Sequence, residues 1–390
     1  MAHPPNARVA MLARELNSYR VGFFDAAREQ LAHDGIEFRL LLGGATAADK
    51  AKSDEAHLEW AERFPATEFS LAGRELWRQP VMAISRQSDL VITEQAAKQL
   101  ANIPLSLLQR LGFARHCLWG HGQNFQASIE GTSGEGLKHW FTKSAHWFFS
   151  YTDLSTEVLR ESGFPPNRIT TFNNSTDVTE IRMLKAGLPT ESAQSVRDEL
   201  HLGSGPILGY LGGIYPPKRT EFLLDSLDEI HDRMPDVNVL VIGSGTEEYL
   251  VRDAAAGRPW LHPLGAIYGP ERVRYGSACS ALLMPGLVGL NLVDGFALGL
   301  PTFTTGIDYH SPEIAYLRHG VNGWVSPGSA SPAEYAGDVA RLLADGKQLK
   351  QLQAGAWEAG SALGIESMAE RFARGVRAAL DAPCRPRQIT

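Results

Sequence analysis

Residues 284–324 read MPGLVGLNLVDGFALGLPTFTTGIDYHSPEIAYLRHGVNGW. The apolar start predicts the end of a buried strand, and the glycine turn that follows leads into a helix over residues 290–298. Gly299 and Pro301 then predict a left-handed helix cap followed by a helix breaker. A glycine turn at a helix start presents free backbone N–H groups at the positive end of the helix dipole, which suits a phosphate. A nucleotide is therefore the first ligand to consider.

Short apolar runs alternate with helical patterns along the whole sequence. The runs RVAMLA, EFRLLLG, DLVIT, HCLWGH, HWFFSY and RITTFN come first, and PILGYLG, VNVLVIG, LHPLG and ALLMP follow later. This alternation predicts an α/β protein with parallel sheets covered by helices. A polar stretch over residues 178–205 separates the two series. We therefore expect an N-terminal domain over residues 1–180 and a second domain over residues 181–365.

The composition excludes several classes of protein. The 390 residues, 44% of them hydrophobic, suffice for two cores, and a net charge of -7 without basic runs argues against nucleic-acid binding. The 3 cysteines lie far apart and lack metal-ligand spacing, which is typical of reduced thiols. The N-terminus shows no secretory pattern, and no segment approaches the roughly eighteen apolar residues of a membrane span. We expect a cytoplasmic protein with at most peripheral membrane contact.

The opening segment resembles the donor-binding loop of retaining glycosyltransferases with the GT-B fold, of the family 4 type (glycosyl transferases group 1). The pattern of that loop runs P-S-x-x-E-x-F-G-L-x-x-x-E-A-x-A-x-G-x-P. Gly289 and Leu290 match its G-L pair, and Asp294 stands at the second glutamate. Pro301 matches the final proline. The stretch before Gly289 is three residues shorter than the pattern, which leaves Gly286 or a gap at the first glutamate.

The resemblance implies two Rossmann-like domains that face each other across a cleft, with a final helix at about residues 366–381 that packs back on the first domain. It also implies retaining transfer of a hexose from a nucleoside-diphosphate sugar to a saccharide, glycolipid or small-molecule acceptor, as in polysaccharide biosynthesis. No D-x-D motif occurs, so we expect a metal-independent enzyme without a cofactor. Because the first glutamate is missing, the alternative is a catalytically reduced GT-B protein that binds nucleotide or saccharide as a regulatory partner.

Three further segments are implied to bind the donor. GGIYPPK at residues 212–218 resembles the family's G-R-L-x-x-x-K, with Lys218 placed to neutralise the diphosphate; the plainer alternative is a solvated lysine after a proline turn. IGSG at residues 242–245 matches I-G-x-G, although these glycines serve equally well to turn the chain. Glu248 replaces the third glycine of a dinucleotide fingerprint, which disfavours NAD. In GIDYHSPE, Asp308 or Glu313 is expected to replace the lost sugar-binding glutamate, or else the loop is a plain surface turn.

By the same resemblance, Asp294 accepts hydrogen bonds from the ribose hydroxyls. The predicted donor site then comprises Gly212, Gly213, Lys218, Arg219, Gly243, Gly245, Gly286, Gly289, Leu290, Asp294, Asp308 and Glu313.

The predicted acceptor side lies in the N-terminal half. Tyr19 and Arg20 precede the first helix, where Arg20 is placed to hold an anionic acceptor or the donor diphosphate; a surface ion pair of little energetic weight is an equal alternative. The strand end WGHGQN puts His121 between two glycines, which leaves its imidazole accessible to a sugar, and Asn124 follows. The predicted catalytic residues are His121, Lys218 and Asp294.

Overall fold

The computed structural model describes residues 6–43, 56–64, 66–71, 74–126 and 135–384. These residues divide into two units. The first unit contains the described residues up to Asn174 together with those from Ile365 onward, and the second unit is Ser175–Gly364. Among the described residues, no helix has both the length and the apolar character that a membrane span requires.

A parallel sheet forms the centre of the first unit. The strands of this unit are β1 Ala7–Ala13, β2 Ile36–Leu42, β3 Glu62–Arg63, β4 Thr67–Leu71, β5 Arg74–Arg78, β6 Leu90–Glu94, β7 His116–Gly120, β8 Trp147–Ser150 and β9 Ile169–Thr171. Seven of them form the sheet in the order β3-β2-β1-β6-β7-β8-β9, and β4 pairs with β5 as an antiparallel hairpin. Every residue of β7 and β8 is buried, as expected for strands covered on both faces.

In the described part of the chain, five helices connect these strands: α1 Val21–His33, α2 Val81–Gln87, α3 Asn102–Arg110, α4 Glu135–Ser144 and α5 Asp153–Glu161. A short 3-10 turn, Ser18–Arg20, leads directly into α1. The start of α5 is capped by Thr152, whose hydroxyl accepts the Ser155 N–H at 3.3 Å.

The second unit has the same design. Its strands are β10 Ile207–Leu211, β11 Asn238–Ile242, β12 Leu261–Gly265, β13 Ala281–Leu283, β14 Thr302–Thr305 and β15 Gly323–Ser326, all parallel in the order β12-β11-β10-β13-β14-β15. Its helices are α6 Val178–Ala186, α7 Ser192–Glu199, α8 Thr220–Arg233, α9 Glu248–Ala255, α10 Gly269–Ser277, α11 Asn291–Ala297, α12 Pro332–Ala344 and α13 Gly346–Ser361. The predicted helix after the glycine turn is confirmed as α11, and Gly299 has the expected left-handed φ of 73°.

The last helix, α14 Ile365–Asp381, belongs to the first unit. Its Phe372 lies between aromatic rings of the core, 5.4 Å from the ring of Phe23 and 4.9 Å from that of Phe149. A Cβ on Gly375 would approach the Thr170 hydroxyl to 2.6 Å, so the helix packs closely because glycine stands there. This helix completes the apolar core of the first unit.

In each unit, the strand that comes first in the chain lies inside the sheet and not at its edge. In the first unit β1 lies between β2 and β6, and in the second unit β10 lies between β11 and β13. The winding direction reverses at these positions, and in doubly wound sheets such a switch point is where a ligand-binding crevice forms at the carboxyl ends of the strands. The fold therefore predicts one ligand-binding crevice in each unit.

Candidate functional site

Glycines bring the loops of the second unit into backbone contact at its crevice. A Cβ on Gly243, after β11, would lie 1.8 Å from the carbonyl oxygen of Gly212, after β10. A Cβ on Gly286, after β13, would lie 2.2 Å from backbone atoms of Lys218, and one on Gly245 would lie 2.2 Å from a carbonyl oxygen of the loop after β10. No side chain fits at these positions. Close packing of the loops is therefore a sufficient reason for these glycines, and contact with a ligand stays a prediction.

The loop after β10 is fixed from inside the sheet. The Tyr210 hydroxyl donates to the carbonyl of Gly213 at 2.6 Å. A Cβ on Gly213 would lie 2.6 Å from the ring of Tyr215, so this ring folds over the loop only because glycine is present. The loop then enters the 3-10 turn Pro216–Lys218.

Lys218 is buried in this crevice, with 5% of its surface exposed. Its ammonium donates to the carbonyl of Leu287 at 2.6 Å. Burial lowers the pKa of Lys218 to about 8, and the charge of Glu313 opposes that shift. The alternative of a solvated surface lysine is therefore wrong. The crevice holds a cation whose burial is only partly compensated by protein groups.

A buried histidine ties the walls of the crevice together. His310 accepts the Val288 N–H at Nδ1 (3.0 Å), so its proton lies on Nε2, which donates to the carbonyl of Thr305 at 2.7 Å. Burial lowers the pKa of His310, which keeps the ring neutral. The sequence identified His310 only as a loop residue and gave it no role. We call this arrangement the His310 clamp, because it joins the turn after β13 to the end of β14.

Three N–H groups of the turn before α11 are occupied, so the prediction of free N–H groups is wrong for residues 287–289. The N–H of Leu287 donates to the carbonyl of Pro217 at 2.9 Å, and that of Val288 donates to the clamp. The N–H of Gly289 donates to the Asn291 side chain at 3.2 Å. Leu290 follows as the N-cap residue of α11. Side chains and backbone of the same unit thus satisfy these three N–H groups, which the sequence assigned to a phosphate.

Three other predicted donor residues occupy different environments. Arg219 has a left-handed backbone (φ 57°), and its guanidinium stacks on Phe222 at 3.8 Å and donates to the Thr305 hydroxyl at 3.0 Å. Glu313 is buried in the 3-10 turn Pro312–Tyr316 and lies close enough to raise the pKa of the crevice lysine. Asp308 is exposed in the turn after β14. Of the two candidate replacements for the lost glutamate, Glu313 is the one in the crevice wall.

Asp294 lies on α11 with both carboxylate oxygens already engaged. The Thr176 hydroxyl donates to Oδ1 at 2.7 Å, and the Arg272 guanidinium donates to Oδ2 at 2.6 Å. Asp294 is 8% exposed. A carboxylate oxygen can accept more than one hydrogen bond, so these contacts leave room for a ribose hydroxyl but hold the side chain in place. The sequence gave no sign of either partner, because both come from distant segments.

The crevice of the first unit contains a cavity of about 210 Å³. It lies at the carboxyl ends of β1 and β6, and Tyr19 and Arg20 from the predicted acceptor side both line it. Arg20 is 8% exposed, and its guanidinium stacks 4.7 Å from the ring of Trp119. Glu94 at the end of β6 lines the same cavity; burial raises its pKa and the charge of Arg20 opposes that rise. The alternative of a surface ion pair for Arg20 is wrong.

His121 and Asn124 are not among the residues that line this cavity. His121 is exposed, and its ring packs edge-on against Tyr151, with 4.5 Å between the centroids. Asn124 accepts the Gln126 N–H at 3.0 Å, which is an ordinary turn contact. The loop that carries them is held by Gln95, whose amide exchanges hydrogen bonds with both the N–H (3.0 Å) and the carbonyl (2.9 Å) of Gly122.

Sequence reasoning missed several residues of the cavity wall. Trp77, Glu94, Trp119 and Tyr151 all line it. Three of them stand at or next to the carboxyl end of a predicted strand, and that position in a doubly wound sheet is the signal that would have identified them. Trp77 lies on the β4–β5 hairpin, which the sequence did not predict.

Two doubly wound parallel units, with the final helix belonging to the first, define the GT-B class of fold. Comparison with known proteins agrees. Residues 205–345 match the family model described as glycosyl transferases group 1. No curated protein sequence matches the chain.

Solved structures of this fold are similar over nearly the whole chain. HepE from Anabaena in complex with UDP has a TM-score of 0.70 at 14% identity, covering 95% of this chain and 99% of that one. The HepE complex with UDP-glucose has a TM-score of 0.67 at 14% identity, covering 95% and 100%. The pneumococcal O-GlcNAc transferase GtfA in complex with UDP and GlcNAc has a TM-score of 0.66 at 13% identity, covering 96% and 99%. These likenesses show the GT-B fold, and the family model adds a similarity to glycosyl transferases group 1 over residues 205–345.

Proposed function

We propose that this protein transfers a hexose from a UDP-linked sugar to a hydroxyl of a saccharide, lipid-linked or small-molecule acceptor, with retention and without a metal ion. One observation carries the proposal above all. Lys218 is a buried cation in the crevice of the unit that matches the glycosyltransferase family, and burial depresses its pKa to about 8. A diphosphate would restore the charge that burial disfavours. UDP is the nucleotide in the complexes of the similar proteins HepE and GtfA.

The proposed role of Lys218 is to stabilise the diphosphate as it leaves. Negative charge on the leaving phosphate grows during transfer, so a fixed ammonium stabilises the transition state more than the bound donor. The crevice is suited to this because its loops are rigid: the His310 clamp and the contact at Gly286 hold the lysine loop against the turn after β13. Asp294 is proposed to accept a ribose hydroxyl, and Glu313 a hydroxyl of the hexose.

The acceptor is proposed to bind in the cavity of the first unit, and His121, which packs against Tyr151 of the cavity wall, is proposed to act beside it. Retaining transfer of this kind depends on positioning and on charge stabilisation more than on a strong base. A polysaccharide or glycolipid pathway in the cytoplasm is the setting that we propose.

The test is ligand-dependent thermal unfolding of the full chain with UDP, GDP, dTDP, CMP, ADP and NAD. A ligand at a hundred times its Kd stabilises the folded protein by about 2.7 kcal/mol, which gives a measurable rise in Tm. We expect a selective rise with UDP, weaker in Lys218→Met than in the control Lys350→Met, which removes an exposed lysine. Turnover of UDP-glucose with added EDTA then tests metal independence. A chain that is stabilised by none of these nucleotides refutes the proposal.

A second candidate function is a catalytically reduced GT-B protein that binds nucleotide or saccharide without transfer. The engagement of both Asp294 oxygens by Thr176 and Arg272 favours it, because that carboxylate is then partly committed to structure. The two functions differ in one assay. Release of UDP from a UDP-sugar that increases with added acceptor supports the transferase, whereas binding without any release supports the reduced protein.

A further inference from the structure

The cavity of the first unit has a distinct chemistry. Its wall combines aromatic rings, which include Trp77, Trp119 and Tyr151, with the charged side chains of Arg20 and Glu94. Its volume of about 210 Å³ suits a single sugar residue rather than a nucleotide. Aromatic walls pack against the C–H faces of a sugar, and the polar groups then select among its substituents.

Arg20 presents an unused hydrogen-bond donor at this cavity. Its Nη2 donates to the Tyr151 hydroxyl at 3.3 Å. Its Nη1 is buried and has no hydrogen-bond partner among the described residues. Leaving a charged donor buried and unpaired is costly, so an acceptor from a ligand is expected to complete the site. A guanidinium matches the planar geometry of a carboxylate.

The indole groups of two tryptophans in the wall also need hydrogen-bond acceptors. Trp119 and Trp77 are 2% and 5% exposed, and the Nε1 atoms of both are buried without a partner in the described part of the chain. Nη1 of Arg20 and the two indole Nε1 atoms are thus N–H donors of wall residues for which the described part of the chain provides no acceptor. The ligand that satisfies them is rich in oxygen acceptors.

The charge of the wall decides between a carboxylate and a phosphate. Glu15 and Glu94 line the cavity together with Arg14 and Arg20, so the formal charges of the wall balance. A dianionic phosphate would meet two carboxylates and lose much of what it gains from the guanidinium. A single carboxylate adds one negative charge, while the hydroxyls of a sugar ring donate to the glutamates.

We propose that this cavity takes a carboxylate-bearing sugar residue of the acceptor, a uronic acid or a related sugar acid, with the carboxylate bound to Nη1 of Arg20. The inference rests on the proposed transferase function and names the chemical class of its acceptor. Arg20 acts as a specificity residue, because the guanidinium distinguishes acidic from neutral sugars.

The test measures binding of monosaccharides to the full chain by saturation-transfer NMR and calorimetry, without donor present. The probes are D-glucuronate, its methyl ester, D-glucose and glucose 6-phosphate. We expect glucuronate to bind at least about tenfold more tightly than each of the other three probes. The methyl ester and glucose lack the carboxylate and lose a charged hydrogen bond, whereas glucose 6-phosphate adds a second negative charge. Arg20→Gln should abolish this preference. Arg28→Gln, which removes an exposed arginine of α1 that stacks on Trp60, should leave this preference unchanged.

Three results overturn the inference. Equal binding of glucuronate and its methyl ester shows that the carboxylate charge is not recognised, and this comparison uses the unaltered protein, so it holds even where Arg20→Gln does not fold. Tighter binding of glucose 6-phosphate assigns the cavity to a phosphate. A preference that persists in folded Arg20→Gln places the site elsewhere. UDP binding is measured in parallel: its absence refutes the proposed function, whereas intact UDP binding without a preference for glucuronate refutes only the acceptor class.

Discussion

The affinity for UDP is expected to depend on pH through Lys218. Burial lowers the pKa of this ammonium to about 8, against the opposing charge of Glu313. A diphosphate binds the protonated form. With a pKa of about 8, roughly nine-tenths of the lysine is protonated at pH ~7 and about one-tenth at pH ~9, so the Kd for UDP should rise about tenfold between these two pH values.

Calorimetric titration with UDP at constant ionic strength, at pH ~7, ~8 and ~9, measures this dependence. Lys218→Met should bind about tenfold more weakly than the unaltered protein at pH ~7 and should show little change with pH. Lys350→Met, in which an exposed lysine of α13 is removed, should reproduce the unaltered profile. The reasoning is refuted by a Kd that is the same at all three pH values, or by a pH dependence that survives in Lys218→Met.

The lowered pKa of Lys218 also predicts how the free energy of unfolding of the ligand-free protein changes with pH. In the unfolded chain the lysine keeps its proton up to its ordinary pKa of 10.5, whereas in the folded protein it loses the proton near pH 8. The unfolded state therefore binds more protons between these values, and Lys218 makes the free energy of unfolding increase with pH in that window. Denaturant unfolding at pH ~8 and ~10, compared between the unaltered protein and Lys218→Met, isolates this contribution.

Three substitutions test the rest of the second unit. Gly286→Ala should lower the free energy of unfolding by about 3 kcal/mol, because its Cβ would lie 2.2 Å from backbone atoms. Gly257→Ala is the control, because a Cβ on Gly257 has nothing within 4 Å. Equal Tm values for the two variants would show that the loops can move apart to accept the methyl group. His310→Ala should cost about 2 to 5 kcal/mol in denaturant unfolding, because a buried N–H and a buried carbonyl lose their partners. His139→Ala, at an exposed site, is its control, and a similar loss there would contradict the clamp. Asp294→Asn should weaken UDP binding about tenfold if the carboxylate accepts a ribose hydroxyl; unchanged affinity in a less stable protein would make Asp294 purely structural.

The sequence predicts the elements best where the pattern is local. The continuous apolar run of β10 and the left-handed Gly299 after α11 both follow from residues within a few positions. In contrast, β14 reads TFTT, and its pattern did not predict a strand. Its threonines are nevertheless buried. The backbone of β14 pairs with β13 and β15, and this pairing is set by segments far apart in the chain.

Even less of the candidate site could be predicted from local sequence patterns. The motif around Lys218 identified the lysine, but its burial depends on the turn after β13. The N–H group of Val288 looked free because its partner His310 stands more than twenty residues away from it in sequence. The cavity of the first unit is assembled from β1, β6 and the β4–β5 hairpin, and no short pattern encodes such an assembly.

The placement of α14 has a consequence for biosynthesis. The strands of the first unit precede the second unit in the chain, whereas α14 follows it, so Phe23 and Phe149 have no cover from Phe372 until the second unit has been synthesised. The second unit is continuous in the chain and can complete its core earlier. The half of the protein that is synthesised first is thus the half that finishes folding last. In the interval its aromatic surface is the part of the nascent chain most in need of protection by chaperones.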